Sequence, residues 1–187
     1  MKRWFFAALV LLLPWCARAE ISYDRLAQFS LAPEFLQGSF TQEKYLGSLD
    51  ATLISTGEFT YQRGKSIRWA ILEPIQSELV MTPLSISSRQ GQQVLMQLDA
   101  GDNPVAKVIG EIFFAVLTSE WKQLAPYFDL SGEIDGQQWH AVLTPVDQAV
   151  RQVLSRIELK GAELLEEIVL HETNGDRTTI RLVNQRK

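Results

Sequence analysis

The sequence predicts a mainly antiparallel β fold with a helical cover, of the α+β class. Three observations carry that expectation. Short alternating apolar stretches, separated by turn residues at close intervals, recur along most of the chain. Asp135-Gly136 and Asn174-Gly175 each stand between two such stretches, as hairpin turns do. One segment, after Asn103-Pro104, breaks the alternation with a helical rhythm.

The chain opens on an export signal. Met1-Lys2-Arg3 is a basic start, Trp4 to Leu13 an apolar run broken by Pro14, and Ala17-Arg18-Ala19 a small-x-small cleavage site. The run is too short to span a bilayer. Cleavage after Ala19 is expected, leaving residues 20–187 as one domain in the periplasm. Lys2, Arg3 and Arg18 depart with the signal while all 22 acidic residues stay, so the net charge moves from −4 to −7. A body this acidic is a poor match for nucleic acid or anionic headgroups. The only cysteine, Cys16, also departs, which excludes a disulfide or a thiol nucleophile in the mature chain. Cleavage just before Cys16 would instead give a lipid anchor, but bulky Trp15 stands where such signals have a small residue.

The elements follow in order. Ser22 caps a helix running to Leu31 with Leu26 and Phe29 on one face, and Pro33 stops it. Strands follow over Phe35–Tyr45, Leu53–Gln62, Ser66–Leu72, Glu78–Thr82, Leu84–Arg89 and Gln92–Asp99. Arg63-Gly64-Lys65 and Gln90-Gly91 serve as turns, and Pro74 closes the third strand. Asn103-Pro104 starts the long helix. Its residues Val105, Val108, Ile109, Ile112, Phe113 and Val116 keep the i, i+3, i+4 rhythm, and Phe114 and Leu117 widen the stripe beyond one packing face. Ser119 is expected to cap a short second turn holding Trp121 and Leu124. Phe128 to Ile134 and Trp139 to Leu143 flank one hairpin turn, Leu164–Glu172 and Arg177–Val183 the other. The total is about ten strands.

Catalytic motifs are missing from the sequence: no nucleophile elbow, zinc-protease helix, phosphate loop or dinucleotide fingerprint. His140 and His171 have no third partner at motif spacing, and Glu166 and Glu167 alternate to opposite faces of a strand. No enzyme, cofactor or metal is expected. The apolar faces say more. Phe59, Tyr61 and Arg63 share a face, as do Ile67, Trp69 and Ile71, then Leu79 and Met81, then Val94, Met96 and Leu98. A curved apolar sheet face must be covered. A sealed core and a liftable helical lid explain the periodicity equally well.

Four fragments in register resemble the periplasmic lipoprotein carriers of the LolA type. They are Ser39-Phe40-Thr41-Gln42 after the first helix, Gly57-Glu58-Phe59-Thr60-Tyr61-Gln62-Arg63 with Ile67-Arg68-Trp69, the proline Pro74, and Val142-Leu143-Thr144-Pro145. The resemblance implies an unclosed β-barrel with helices over a concave apolar interior. It further implies a monomeric carrier that takes acyl chains of lipoproteins from an inner-membrane transporter to an outer-membrane acceptor. The cavity residues it points to are Phe40, Phe59, Tyr61, Trp69, Met81, Met96, Ile109, Phe113, Phe114 and Leu117. Arg63 stands where the family has a lid-latching arginine that bonds helix backbone, with Gly64 in place of the family's proline. Met81-Thr82-Pro83-Leu84 replaces an Asp-Gly turn, and the chain ends early. The alternatives are therefore a specialised carrier of a glycolipid or a lipid-linked pigment precursor, and a sealed domain that carries nothing.

Overall fold

A computed structural model describes residues 21–99 and 104–187, with the side chains of 104–110 outside that description. The expected signal segment 1–19 and the helix start at Asn103 therefore lie outside the described residues. Helix α1 (Tyr23–Phe29) is capped as expected, with the Ser22 hydroxyl accepting the Arg25 N–H at 3.2 Å. It buries Leu26 and ends at Ser30.

Strands β1 (Phe35–Leu46), β2 (Ala51–Gln62), β3 (Ser66–Glu73), β4 (Ser77–Met81), β5 (Ser85–Gln90) and β6 (Gln93–Asp99) form a meander. After the helical segment come β7 (Phe128–Asp135), β8 (Gln138–Pro145), β9 (Leu154–Gly161), β10 (Leu165–Glu172) and β11 (Arg177–Arg186). All belong to one antiparallel sheet in the order β6-β5-β4-β3-β2-β1-β11-β10-β9-β8-β7. Two meanders are thus joined where β1 pairs with β11, Phe40 opposite Leu182. The two ends, β6 and β7, do not pair, so the barrel is open.

The connection between those ends carries α2 (Pro104–Thr118) and a 3-10 turn (Trp121–Leu124). Its course explains the fold: a chain leaving one edge strand for the opposite edge must pass over the mouth, and its apolar side packs down onto the concave face. The sheet has eleven strands where about ten were expected. The addition is β9, where Ile157 and Leu159 are buried between the charges of Arg156, Glu158 and Lys160. A four-residue helix, α3 (Gln148–Arg151), precedes it; the Asp147 carboxylate accepts the N–H groups of Ala149 and Val150.

Two local expectations need correction. Ser119 does not cap the short turn. It ends α2 in the left-handed region at φ 58°, and the turn begins after Glu120 without a side-chain cap. Val94 does not share the face of Met96 and Leu98. A register shift between β5 and β6 pairs Met96 with Ser88 but Val94 with Arg89, on the outer row.

Candidate functional site

The concave face is built from apolar rows that the pairing register lines up. One runs unbroken across six strands: Leu36, Tyr61, Ile67, Met81, Ile86 and Leu98. The next runs through Phe59, Trp69, Leu79, Ser88 and Met96. Phe40 enters from β1 and stacks on Trp69 with ring centroids 3.9 Å apart; Phe59 flanks Trp69 at 5.8 Å. The Phe40 ring needs Gly57 opposite it, since a Cβ there would stand 2.5 Å from Cζ of Phe40 and 2.0 Å from the Ala70 carbonyl oxygen.

Over this floor lies the C-terminal half of α2. Ile112, Ala115, Val116 and Leu117 are buried, and Phe113 and Phe114 pack partly buried against the core. Phe114 meets Tyr61 edge-on at 6.5 Å. Between helix and sheet remains a cavity of about 30 Å³, its floor Trp69 and its far wall Ile157, Leu159, Ile168, Leu170 and Ile180. Its lining is apolar throughout.

Of the residues expected in the cavity, Phe40, Phe59, Tyr61, Trp69 and Met81 are buried in the floor, and Phe113, Phe114 and Leu117 lie in the lid. Met96 sits at the far end of its row and is 38% exposed. The side chain of Ile109 lies outside the described residues. The wall from β9, β10 and β11 was not anticipated, although the alternation of Ile157 with Leu159 and of Ile180 with Leu182 is its signal.

A second cluster pins α1 and the 3-10 turn. The buried Trp121 indole N–H donates to Ser30 Oγ at 2.5 Å, and that hydroxyl donates to the Leu26 carbonyl at 2.9 Å. Trp121 also packs edge-on against Trp139 at 5.3 Å, whose own N–H donates to the Ala162 carbonyl at 2.7 Å. The Tyr23 hydroxyl donates to the Phe128 carbonyl at 2.8 Å; its pKa is pushed up to about 12 by burial and by nearby Asp129. The Tyr127 hydroxyl donates to the Glu111 carboxylate on α2. That bond, with burial behind it, pushes the tyrosine pKa up to about 12.

Arg63 is placed differently from expectation. Its guanidinium donates to the carbonyls of Ala32 and Pro33 and pairs with Glu34 at 3.2 Å. It therefore holds the segment between α1 and β1, not the backbone of α2. Gly64 follows Arg63 at φ 65°, a left-handed conformation that glycine takes at no steric cost. Tyr61 lies beside Arg63, and burial raises its pKa despite that neighbouring positive charge.

On the outer face the two histidines do have a common partner. Glu158 lies between them, His171 Nε2 at 2.9 Å and His140 Nε2 at 3.6 Å, with Arg156 Nη2 at 2.7 Å. Burial would raise the Glu158 pKa, but His171, Arg156 and His140 together hold it below the usual carboxylate range. No group of metal-binding side chains occurs among the described residues.

A model of the family described as "Outer membrane lipoprotein carrier protein LolA" matches residues 33–187, and the chain belongs to that family. No curated protein matches. Among solved structures, a LolA superfamily protein of Nitrosomonas europaea is 9% identical over 88% of this chain and 90% of its own, with a TM-score of 0.49. The MucA/MucB complex of Pseudomonas aeruginosa aligns at 22% identity and a TM-score of 0.48; 87% of this chain matches, and it spans only 54% of the matched one. A putative outer membrane lipoprotein-sorting domain of Vibrio parahaemolyticus aligns at 8% identity, 81% and 84% coverage, and a TM-score of 0.41. Members of the LolA family are carrier or binding proteins. No helix among the described residues is long and apolar enough to cross a membrane.

Proposed function

We propose, from the premise of LolA-family membership, that this chain is a non-catalytic periplasmic carrier that shelters the acyl chains of a lipoprotein between α2 and the concave face. The first 19 residues serve as its export signal, an inner-membrane transporter loads it and an outer-membrane acceptor unloads it. The observation that carries this reading is an apolar helix, α2, laid across the open mouth of the sheet over a space lined by apolar side chains alone. Because α2 belongs to the connection between the two unpaired edges and not to the sheet, it can lift without breaking a strand pair, as a movable cover must.

The energetics agree. Exposed methylenes cost about 0.8 kcal/mol each in water, so an acyl chain needs shelter in transit. When the cargo leaves, α2 covers the same apolar area, so the empty state is not penalised and release becomes feasible. Phe40, Phe59, Trp69 and Met81 then act as the floor that meets the chain, with Phe113, Phe114 and Leu117 as the cover.

Titration of the mature protein with a fluorescent fatty acid tests the reading. Reversible saturable binding with a change in Trp69 emission is expected, lost in Trp69→Phe while binding persists. A native protein that binds no fatty acid and keeps its emission would establish the sealed core.

A further inference from the structure

The two edges of the sheet are built differently. Strand β7 carries Asp129, Glu133 and Asp135, and its Gly132 at φ 143° packs so tightly on the His140 carbonyl that a Cβ would stand 2.1 Å away. Charges and a local distortion are the usual means of keeping an unpaired edge from accepting another strand. Strand β6, Gln93-Val94-Leu95-Met96-Gln97-Leu98-Asp99, has no charge before its last residue, and its one distortion is the extra residue between Val94 and Met96. It has no lysine and no proline, and its outer backbone edge is unpaired among the described residues. Val94, Leu95 and Met96 are 50%, 52% and 38% exposed, three successive large apolar residues presented to water.

This open edge is continuous with the acyl site. The floor row from Phe59 and Trp69 passes through Leu79 and Ser88 to Met96, and the row through Ile67 and Met81 ends at Leu98. Three strand spacings, about 14 Å, separate Trp69 from Met96. Helix α2 packs against both β5 and β6, so a chain lying under it would emerge beside this edge.

We propose that β6 accepts a twelfth strand: the extended, uncharged, apolar-rich peptide of the acylated cargo, next to the residue that bears the acyl chain. The inference rests on the carrier reading and adds a peptide subsite to it. Main-chain hydrogen bonds to β6 would supply sequence-tolerant affinity, as strand addition does, and alternate side chains would meet Val94 and Leu95. Such a site favours a lipid attached to polypeptide over a free lipid.

The test compares palmitate with an N-palmitoylated, uncharged eight-residue peptide rich in valine and threonine, both displacing a fluorescent fatty acid from the mature protein. The palmitoyl peptide is expected to bind about tenfold more tightly, with slowed amide exchange along β6. Alternate N-methylation of the peptide, which removes its donors, should erase the advantage. The double variant Val94→Lys/Leu95→Lys, exposed and folded by its far-UV spectrum, should erase it too while palmitate affinity stays unchanged. Equal affinity of palmitate and palmitoyl peptide for the wild type would overturn the strand site and leave the carrier reading standing. Failure of palmitate itself to bind would overturn both. A peptide advantage that survives in the double variant, or β6 protection that grows with protein concentration without ligand, would place the peptide elsewhere or put a second copy on the edge.

Discussion

The two ends of the helical cover are held by different forces. Around α1 and the 3-10 turn, buried donors each reach one acceptor: Trp121 to Ser30, Ser30 to Leu26, Trp139 to Ala162 and Tyr23 to Phe128. Under α2, Ile112, Phe113, Val116 and Leu117 line an apolar space with Trp69 and the β9–β11 wall, and Phe114 meets Tyr61 edge-on. Hydrogen bonds lost in a dry interior are costly and cannot be replaced by a methylene. Apolar contacts are non-directional, and an acyl chain substitutes for them at little cost. On the carrier reading proposed above, the anchor would stay while α2 lifts.

The largest test of that contrast is Trp121→Ala. It removes a fully buried indole and the bond it donates to Ser30, so about 3–5 kcal/mol of stability should be lost in chemical denaturation. Phe114→Ala, partly buried in the cover, should cost only about 1–2 kcal/mol and widen the acyl site, raising fatty-acid affinity. Similar losses from both would erase the distinction.

Arg63→Leu comes next. Since its donors serve Ala32 and Pro33, about 1–2 kcal/mol should disappear and amide exchange should quicken around residues 31–34, with α2 exchange and acyl off-rates unchanged. Faster exchange in α2 or slowed acyl release would return Arg63 to the lid. Tyr127→Phe acts on the lid itself. Losing the bond to Glu111 should cost about 1 kcal/mol or less and speed exchange in α2. Because the open state becomes easier to reach, apparent fatty-acid affinity should rise by up to about fivefold.

The smallest effect lies far from both regions. The Glu158 pKa is lower in the folded chain than in the unfolded one, so its contribution to stability is complete above the unfolded carboxylate value and is lost as pH falls through the folded one. Unfolding followed from pH 7 to pH 3 should show that loss in the wild type. Glu158→Gln should flatten it, leaving acyl binding at pH 7 unchanged. A change in acyl binding would tie the outer cluster to the cover after all.

Ten of the strands, the hairpins at Asp135-Gly136 and Asn174-Gly175, the capped first helix and the course of α2 are legible, because alternation and helical rhythm record locally which face each segment buries. The floor residues Phe59, Tyr61, Trp69 and Met81 were legible for the same reason. Strand β9 was passed over because its buried Ile157 and Leu159 are interleaved with three charges that suit an outer face as well as a loop. The misplacement of Val94 followed from one extra residue in β6, which resets the alternation without a mark in composition.

The sequence by itself therefore determined the class of fold, the apolar character of the concave face and the position of a helical segment between two sets of strands. Only the tertiary structure decided which strands meet at β1 and β11, which indole reaches Ser30, where Arg63 spends its donors, and that His140 and His171 share Glu158. Those partners are separated by 30 to 91 residues or lie on neighbouring strands. A hydrogen bond needs its two atoms within a few tenths of an ångström of one distance, and that condition depends on strand register and sheet curvature across the whole chain.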